Sequence, residues 1–323
     1  MRIVFLGTPE FGVVTLQKLL ESSHEVIAVV TQKDKPQGRG NKLTPSPVKI
    51  FAQKANIPCF EYDKISRDGV SDLKALHPDI MITAAYGQIL SQEIIDIPRY
   101  GIINVHASLL PKYRGASPIQ SAIINGETKT GVTIMQTEAG LDTGDILGVI
   151  ETEIGEYETA GELSRRLAQI GADLLIEVLE KIQNHSVRPE PQLHVNATVT
   201  NKIHKEDCVI NFNKSSKQIK CLVCGANPDP IASAVFENGT VLKVYTVRLA
   251  SDINSHGTPG EIIEPTSAKR GVFVMCNPGV IELGLVQLPG KGIMEAKTLV
   301  SGRKLAVGDK FIYNVSQVKS IEQ

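Results

Sequence analysis

Residues 102–115 read IINVHASLLPKYRG. The first five form a β-branched run interrupted at alternate positions by Asn104 and His106, and the Pro-Lys-Tyr-Arg-Gly that closes the stretch is turn chemistry. Side chains alternate across a strand with a period of two, so the amide and the imidazole project from one face near the strand's carboxyl end. In an open α/β sheet, ligands gather beyond the carboxyl ends of the strands, and that is where this pair would meet a substrate.

The flanking sequence predicts such a sheet. RIVFL (2–6), EVIAVVT (25–31), IPCF (57–60), DIMITA (79–84) and GVTIMQ (131–136) are further short β-branched runs. FGVVTLQKLLES, PVKIFAQKAN and SDLKALHP lie between them with the 3.6-residue apolar spacing of helices. Alternation of this kind implies βαβ units and a Rossmann-like, mostly parallel sheet. One more helix fits ETAGELSRRLAQIGADLLIEVLEKIQN, with Thr159 as N-cap and Glu162 completing a capping box, and it closes a first domain over 1–184. Residues 185–205, rich in Pro, Asn, Thr and charge, have linker composition. Beyond them ASAVFE, VLKVYTVRL, GEIIEP, GVFVMC, VIELGLVQLPG and KFIYNV are short strands separated by turn residues, after a helix at 214–224. Residues 206–323 are therefore expected to close into a small β-barrel.

The totals are those of a soluble globular protein: 323 residues, 42% hydrophobic and 21% charged, with a net charge of -1. That length suits about two domains, and the charge balance points to neither nucleic acid nor membrane, so any such contact must be local. No apolar run reaches the ~18 residues of a membrane span and the start lacks a secretory core, which together point to a cytoplasmic protein. The five cysteines are odd in number and scattered, which argues against a disulfide framework. Cys221 and Cys224 form a CxxC without a second pair, on a helical pattern that places both near an apolar face, so core packing is favoured over a metal and no metal site is expected.

A third group joins the pair at the strand end. In EAGLDTGDIL, Asp142 lies in a Gly-flanked loop after GVTIMQ, from which a carboxylate can swing back towards Asn104 and His106. An Asn amide can donate to a developing oxyanion, an imidazole can stabilise that charge or move a proton, and a carboxylate can orient the imidazole and accept a proton. The set suits acyl transfer to an amine without a Ser or Cys nucleophile. The same three residues would equally serve as a turn cap, a satisfied strand-end histidine and a loop cap. Neither GxGxxG nor GxxxxGK[ST] occurs, which argues against NAD or ATP.

Between the second strand and Pro47 runs TQKDKPQGRGNKLTPSP, far longer than the usual 2–6-residue βα connection. Over 33–49, Lys33, Lys35, Arg39, Lys42 and Lys49 face Asp34 alone. A basic loop there is placed to grip a phosphate backbone beside the site, or is simply solvated.

Together RIVFLGTPEFG, TQKDKPQGRGNKLTPSPVK, AAYGQIL, INVHASLLPKYRGASPIQSAIINGETKTGVTIMQTEAGLDTGDIL and, more weakly, ANPDPIA resemble the methionyl-tRNA formyltransferase family along the whole chain. The resemblance implies the formyltransferase fold followed by an OB-like, tRNA-binding barrel. It implies transfer of the formyl group of 10-formyltetrahydrofolate to the α-amine of methionyl-initiator tRNA, gripped at its acceptor stem by a monomeric enzyme, at the start of translation. Asn104, His106 and Asp142 match the family's catalytic triad. Ser108, Leu109, Leu110 and Pro111 match the segment that lines the folate site, largely through main chain, and Tyr86, Gly87 and Ile89 match a loop near the pterin. Arg39 matches the arginine of the family's insertion loop, with Lys35 and Lys42 beside it as tRNA contacts. The chain departs from the family at CGANPDPIA, where many members carry an Arg before and a Trp within the motif; here stand Cys224, Gly225 and Asp229, with no Trp anywhere.

Other formyltransferases share the Asn-His-Asp core. Glycinamide ribonucleotide formyltransferases lack both the basic insertion and the barrel, whereas the enzymes that formylate amino-sugar nucleotides carry a C-terminal barrel-like region and are the alternative reading. A non-catalytic RNA-binding relative is disfavoured by the intact triad and SLLPKYRG.

Overall fold

The β-branched runs of the first half fold as strands, and their near-continuous apolarity is what a parallel sheet covered on both faces requires. The structure is a computed structural model and describes residues 1–37, 42–253 and 256–319. The chain opens with β1 (Arg2–Gly7), α1 (Glu10–Leu20), β2 (Glu25–Gln32), β3 (Lys35–Gln37), β4 (Lys42–Thr44), α2 (Pro47–Lys54) and β5 (Cys59–Tyr62). It continues through α3 (Ile65–Asp68), α4 (Val70–Leu76), β6 (Ile80–Ala84), α5 (Gln92–Ile95), β7 (Ile102–His106) and the short β8 (Arg114–Gly115). Then come α6 (Pro118–Ile124), β9 (Lys129–Gln136), β10 (Ile146–Glu153), α7 (Ala160–Gln183) and β11 (Val199–Thr200). Two compact units result: Met1–Pro118, Lys129–Glu153 and Ser164–Asn201 form the first, and Ile119–Thr128, Ile154–Leu163 and the chain from Lys202 onward form the second.

In the first unit seven strands form one sheet in the order β10-β9-β7-β6-β1-β2-β5. Pairs among β5, β2, β1, β6 and β7 are parallel, while β9 runs antiparallel to β7 and β10 antiparallel to β9. The mostly parallel sheet is thus as expected from the sequence; β10 is the strand that the sequence did not announce. It is an edge strand with Val149 and Ile150 exposed, and such a strand lacks the apolar signature of a buried one. In the centre, Ile3, Val4, Phe5, Leu6, Val29, Val30, Ile80, Met81 and Ile82 have no exposed surface, each burial stabilising the fold by about 1.5–3 kcal/mol. The expected capping box at α7 is present: Thr159 Oγ1 accepts from the Glu162 amide and Glu162 Oε2 accepts from the Thr159 amide at 2.9 Å. Gly171 lets α7 lie close on the strands: a Cβ there would stand 3.0 and 3.1 Å from Val132 and Val105, and Val105 separates Asn104 from His106.

The basic stretch after β2, expected as a loop, is a hairpin. Lys35 pairs with Thr44, Pro36 with Leu43 and Gln37 with Lys42 across β3 and β4. Arms of three residues, one of them a Pro, carry too little periodicity to be read as strands.

The second unit continues with α8 (Ser216–Gly225), β12 (Ala232–Phe236), β13 (Val241–Val244), β14 (Val247–Leu249), β15 (Ile262–Ser267), β16 (Gly271–Cys276), β17 (Gly279–Leu283), β18 (Leu285–Gln287), β19 (Met294–Glu295), α9 (Ala296–Ser301), β20 (Phe311–Ile312) and α10 (Val315–Lys319). Its strands make two antiparallel sheets, β19-β18-β13-β12-β20 and β14-β17-β16-β15. VLKVYTVRL and VIELGLVQLPG, each expected as one strand, break at Tyr245–Thr246 and at Gly284 and pass from one sheet into the other. The amides of Tyr245 and Thr246 donate to the Leu285 carbonyl, and the Gly284 amide donates to the Thr246 carbonyl at 2.9 Å. A Cβ on Gly284 would strike the Thr246 hydroxyl, so the corner requires glycine. Cys224 on α8 is buried, and burial pushes its thiol up to about 11. Among the described residues, no helix is long and apolar enough to cross a membrane and no cluster of His, Cys, Asp and Glu is arranged to hold a metal ion.

Candidate active site

Asn104 and His106 lie on β7, the strand where the parallel part of the sheet ends. Asn104 faces Thr83 of β6 on one side and Met135 of β9 on the other. Thr83 Oγ1 donates to Asn104 Oδ1 at 2.8 Å, which fixes the amide with its Nδ2 outward, 3.5 Å from Asp142 Oδ1. That orientation is chemically forced, because a carboxylate can only accept and so requires the NH2 end to face it.

His106 is almost fully buried, and its Nε2 lies 2.9 Å from the Tyr113 carbonyl. A carbonyl only accepts, so Nε2 carries the proton and Nδ1 is the ring nitrogen left for other chemistry. Nδ1 faces Asp142 Oδ2 at 3.6 Å.

The structure therefore brings Asn104, His106 and Asp142 together. The manner of it was not foreseen. Because β9 is antiparallel, its end at Gln136 lies beside Ile103, and the loop that follows must double back to reach Asn104. Asp142 adopts the left-handed conformation at φ 50°, which Asp tolerates better than most residues. Its separations from Asn104 and His106 exceed ordinary hydrogen-bond length, so those two do not hold it in place. What holds it is backbone: the Gly115 amide donates to Asp142 Oδ2 at 2.8 Å. A Cβ on Gly115, at φ 107°, would collide with the Thr200 carbonyl, so glycine is required at this approach.

Four supporting groups escaped the sequence reading: Thr83, the Tyr113 carbonyl, the Gly115 amide and Gln192. Only the Gly of the KYRG turn signalled a special backbone. Residues 185–201, of linker composition, belong to the first unit. The Arg114 amide donates to the Thr198 carbonyl at 2.9 Å and β11 pairs in parallel with β8.

In the segment expected to line a folate site, the Ser108 hydroxyl donates to the Lys112 carbonyl at 2.7 Å, and the Ser108 carbonyl accepts from Thr133 Oγ1 at 2.7 Å. The Leu110 amide donates to the same Thr133 oxygen. Leu109 is half-buried, Leu110 is buried and Pro111 is half-buried, so this turn is tied down on β9. In the AAYGQIL loop the Tyr86 ring is buried in the core, its hydroxyl without a partner, while its carbonyl accepts from Thr8 Oγ1 and Gln32 Nε2. Gly87 sits at φ 80°, and Ile89 is 87% exposed.

Of the basic residues, Lys49 bridges Asp34 and Glu61 at 2.8 and 2.7 Å, which holds its ammonium above the usual lysine range, and Lys33 pairs with Asp63. Local charge is thereby neutralised below the hairpin. Lys35 Nζ donates to Gln32 Oε1 within β2. Lys42 lies on β4, and Arg39 lies outside the described residues.

The profile of the formyl transferase family matches residues 1–179, and that of the formyl transferase C-terminal domain matches 202–304. The methionyl-tRNA formyltransferase of Acetivibrio thermocellus is 45% identical over 310 residues, spanning 96% of this chain and 99% of that protein. That of Sulfurihydrogenibium sp. is 42% identical over 313 residues, spanning 96% and 100%. Among solved structures, an N-formyltransferase from Helicobacter canadensis, in complex with folinic acid and dTDP-3-aminofucose, superposes with a TM-score of 0.66 at 19% identity, covering 87% of this chain and 98% of that one. A sugar 3N-formyl transferase, solved in the presence of 5-N-formyl-THF, superposes at 0.64 with 22% identity, covering 90% and 99%. At such identity these two speak to the fold alone, whereas the full-length relatives speak to the lineage. A strand-borne Asn and His met by a looped-back Asp, in a chain that keeps over two fifths identity to such relatives along nearly its whole length, places it in the methionyl-tRNA formyltransferase family.

Proposed function

We propose that the chain transfers the formyl group of 10-formyltetrahydrofolate to the α-amine of methionyl-initiator tRNA, as a monomer in the cytoplasm. The observation that carries the chemistry is the meeting of Asn104 Nδ2, His106 Nδ1 and the Asp142 carboxylate at the end of β7. The folate supplies an activated formyl group, and the residues present fit it: exposed Ile89 and Leu141, on the loops that follow β6 and β9, offer apolar surface for a flat ring.

The acceptor amine attacks as a neutral base, which is accessible near pH 7 because α-amino groups titrate near 8. Asn104, with one N–H directed at Asp142, keeps its second N–H for the formyl oxygen as negative charge develops there. His106, its Nε2–H committed to Tyr113, can hold a proton at Nδ1 between Asp142 and that oxygen. Asp142 accepts the proton the amine loses as the new C–N bond forms. It then returns one to the departing folate nitrogen as the old C–N bond breaks, so protons balance over the cycle.

For the acceptor, the reading places Lys35, Arg39 and Lys42 against the phosphates of the acceptor stem. It assigns the first unit to catalysis, with residues 185–201 of the expected 185–205 linker included in it, and 206–323 to tRNA binding, supported by the family matches over 1–179 and 202–304. Arg39→Ala is expected to weaken tRNA binding and lower the slope of log K against log[salt] by about one. A titration with an unchanged slope would remove Arg39 from the phosphate grip. The reading as a whole is tested by formyl transfer to Met-tRNA with an amino-sugar nucleotide as competing acceptor. Product on tRNA supports it; product on the sugar nucleotide alone keeps the chemistry and rejects the acceptor.

A further inference from the structure

Asp142 bonds weakly to the residues it would act with, which raises the question of what keeps its loop in place. Gln192 is buried, and its Nε2 donates to two carbonyls of that loop, Asp142 at 2.9 Å and Gly144 at 2.7 Å. Its Oε1 in turn accepts from Arg114 Nε at 3.1 Å and Nη2 at 2.6 Å. Arg114 is also buried, and Nη2 makes a further bond to His194 Nδ1 at 3.1 Å. Arg114 directly precedes Gly115, whose amide holds the Asp142 carboxylate.

The chemistry of position 192 is tightly constrained. A guanidinium can only donate and a carbonyl can only accept, so whatever stands between them must accept on one side and donate twice on the other. A primary amide does this. Glu offers acceptors only and Lys donors only, while Asn is one methylene too short to span the same gap. The bond from a cationic donor also polarises the amide and strengthens its donation to the loop.

We propose that Gln192, with Arg114 behind it, is a positioning residue for the reaction: a buried clamp that holds the Asp142 loop so that the carboxylate stands over Asn104 and His106. Part of the machinery is thus delivered from a segment of linker composition. The inference rests on the reading of Asp142 as the proton acceptor.

Two variants of the full chain test it, Gln192→Glu and Gln192→Met, by steady-state formyl transfer to Met-tRNA and by hydrogen exchange. Both are expected to lower kcat on the order of 10–100-fold with little change in KM for either substrate, since a small displacement of a reacting group costs turnover rather than binding. Exchange of the amides of 138–145 should accelerate while that of β6 and β7 stays as in the unaltered chain. Should Gln192→Met fail to fold, Gln192→Glu carries the test, because it keeps an acceptor for buried Arg114 and replaces the donors with a carboxylate oxygen that repels the two loop carbonyls. Normal kcat with normal loop exchange in Gln192→Glu would overturn the clamp, as would a loss confined to KM. If the unaltered chain formylates no Met-tRNA, the functional reading fails, and the exchange measurement still decides whether Gln192 holds the loop.

Discussion

Asp142→Asn should lower kcat for formyl transfer by about 10²–10⁴-fold, the range for removal of a positioned acid–base group, while tRNA affinity changes little. The substitution keeps the shape of the side chain, and one of its ends can still accept from the Gly115 amide, so the loop stays anchored through Gly115 and Gln192. What it loses is the capacity to take a proton from the amine and the negative charge that faces His106 Nδ1. Single-turnover rates with prebound substrates are the measurement, because they separate the chemical step from product release. A variant with unchanged turnover and weakened tRNA binding would make Asp142 a binding residue.

Asn104→Ala should cost about 10²–10³-fold in kcat, the loss seen when one preorganised oxyanion donor is removed. In this chain the donor is aimed by its neighbour, since Thr83 takes Oδ1 and so turns Nδ2 outward, one N–H towards Asp142 and the other towards the reaction. Thr83→Val should therefore give a related but smaller loss, about tenfold, equivalent to one hydrogen bond of roughly 1.4 kcal/mol. The pair of variants is informative together. Loss in Asn104→Ala with none in Thr83→Val would mean that Asp142 alone orients the amide; no loss in either would remove Asn104 from the transition state.

The trio of Asn104, His106 and Asp142 was legible because each member announces itself locally. Asn104 and His106 sit two apart on a strand, and period-two geometry puts them on one face whatever the rest of the chain does. Asp142 sits among glycines after an apolar run, a loop in any fold containing that run. The supporting groups announce nothing: the Tyr113 carbonyl and Gly115 amide are main chain, and Thr83 reads as one more β-branched residue. Gln192 sits in a stretch without periodicity, 78 residues beyond its partner Arg114.

The sequence by itself determined β1, β2, β5, β6, β7 and β9, the helices α1, α2, α4 and α7, the mostly parallel sheet and the α7 capping box. Burial on both faces and N-cap chemistry are written into runs of a few residues. It also carried the family, because INVHASLLPKYRG and EAGLDTGDIL are contiguous motifs. Tertiary structure decided everything that depends on pairing between distant segments. It made β9 and β10 antiparallel, so the Asp142 loop had to double back. It split two runs at Tyr245–Thr246 and Gly284, where the second unit's strands pass between sheets. It neutralised Lys33 and Lys49 with Asp63, Asp34 and Glu61 below the basic hairpin. It drew residues 198–200 onto 114–116 to complete the wall of the site. Hydrogen bonds between segments far apart in the chain leave no periodic trace in either one, so only the folded chain reveals them.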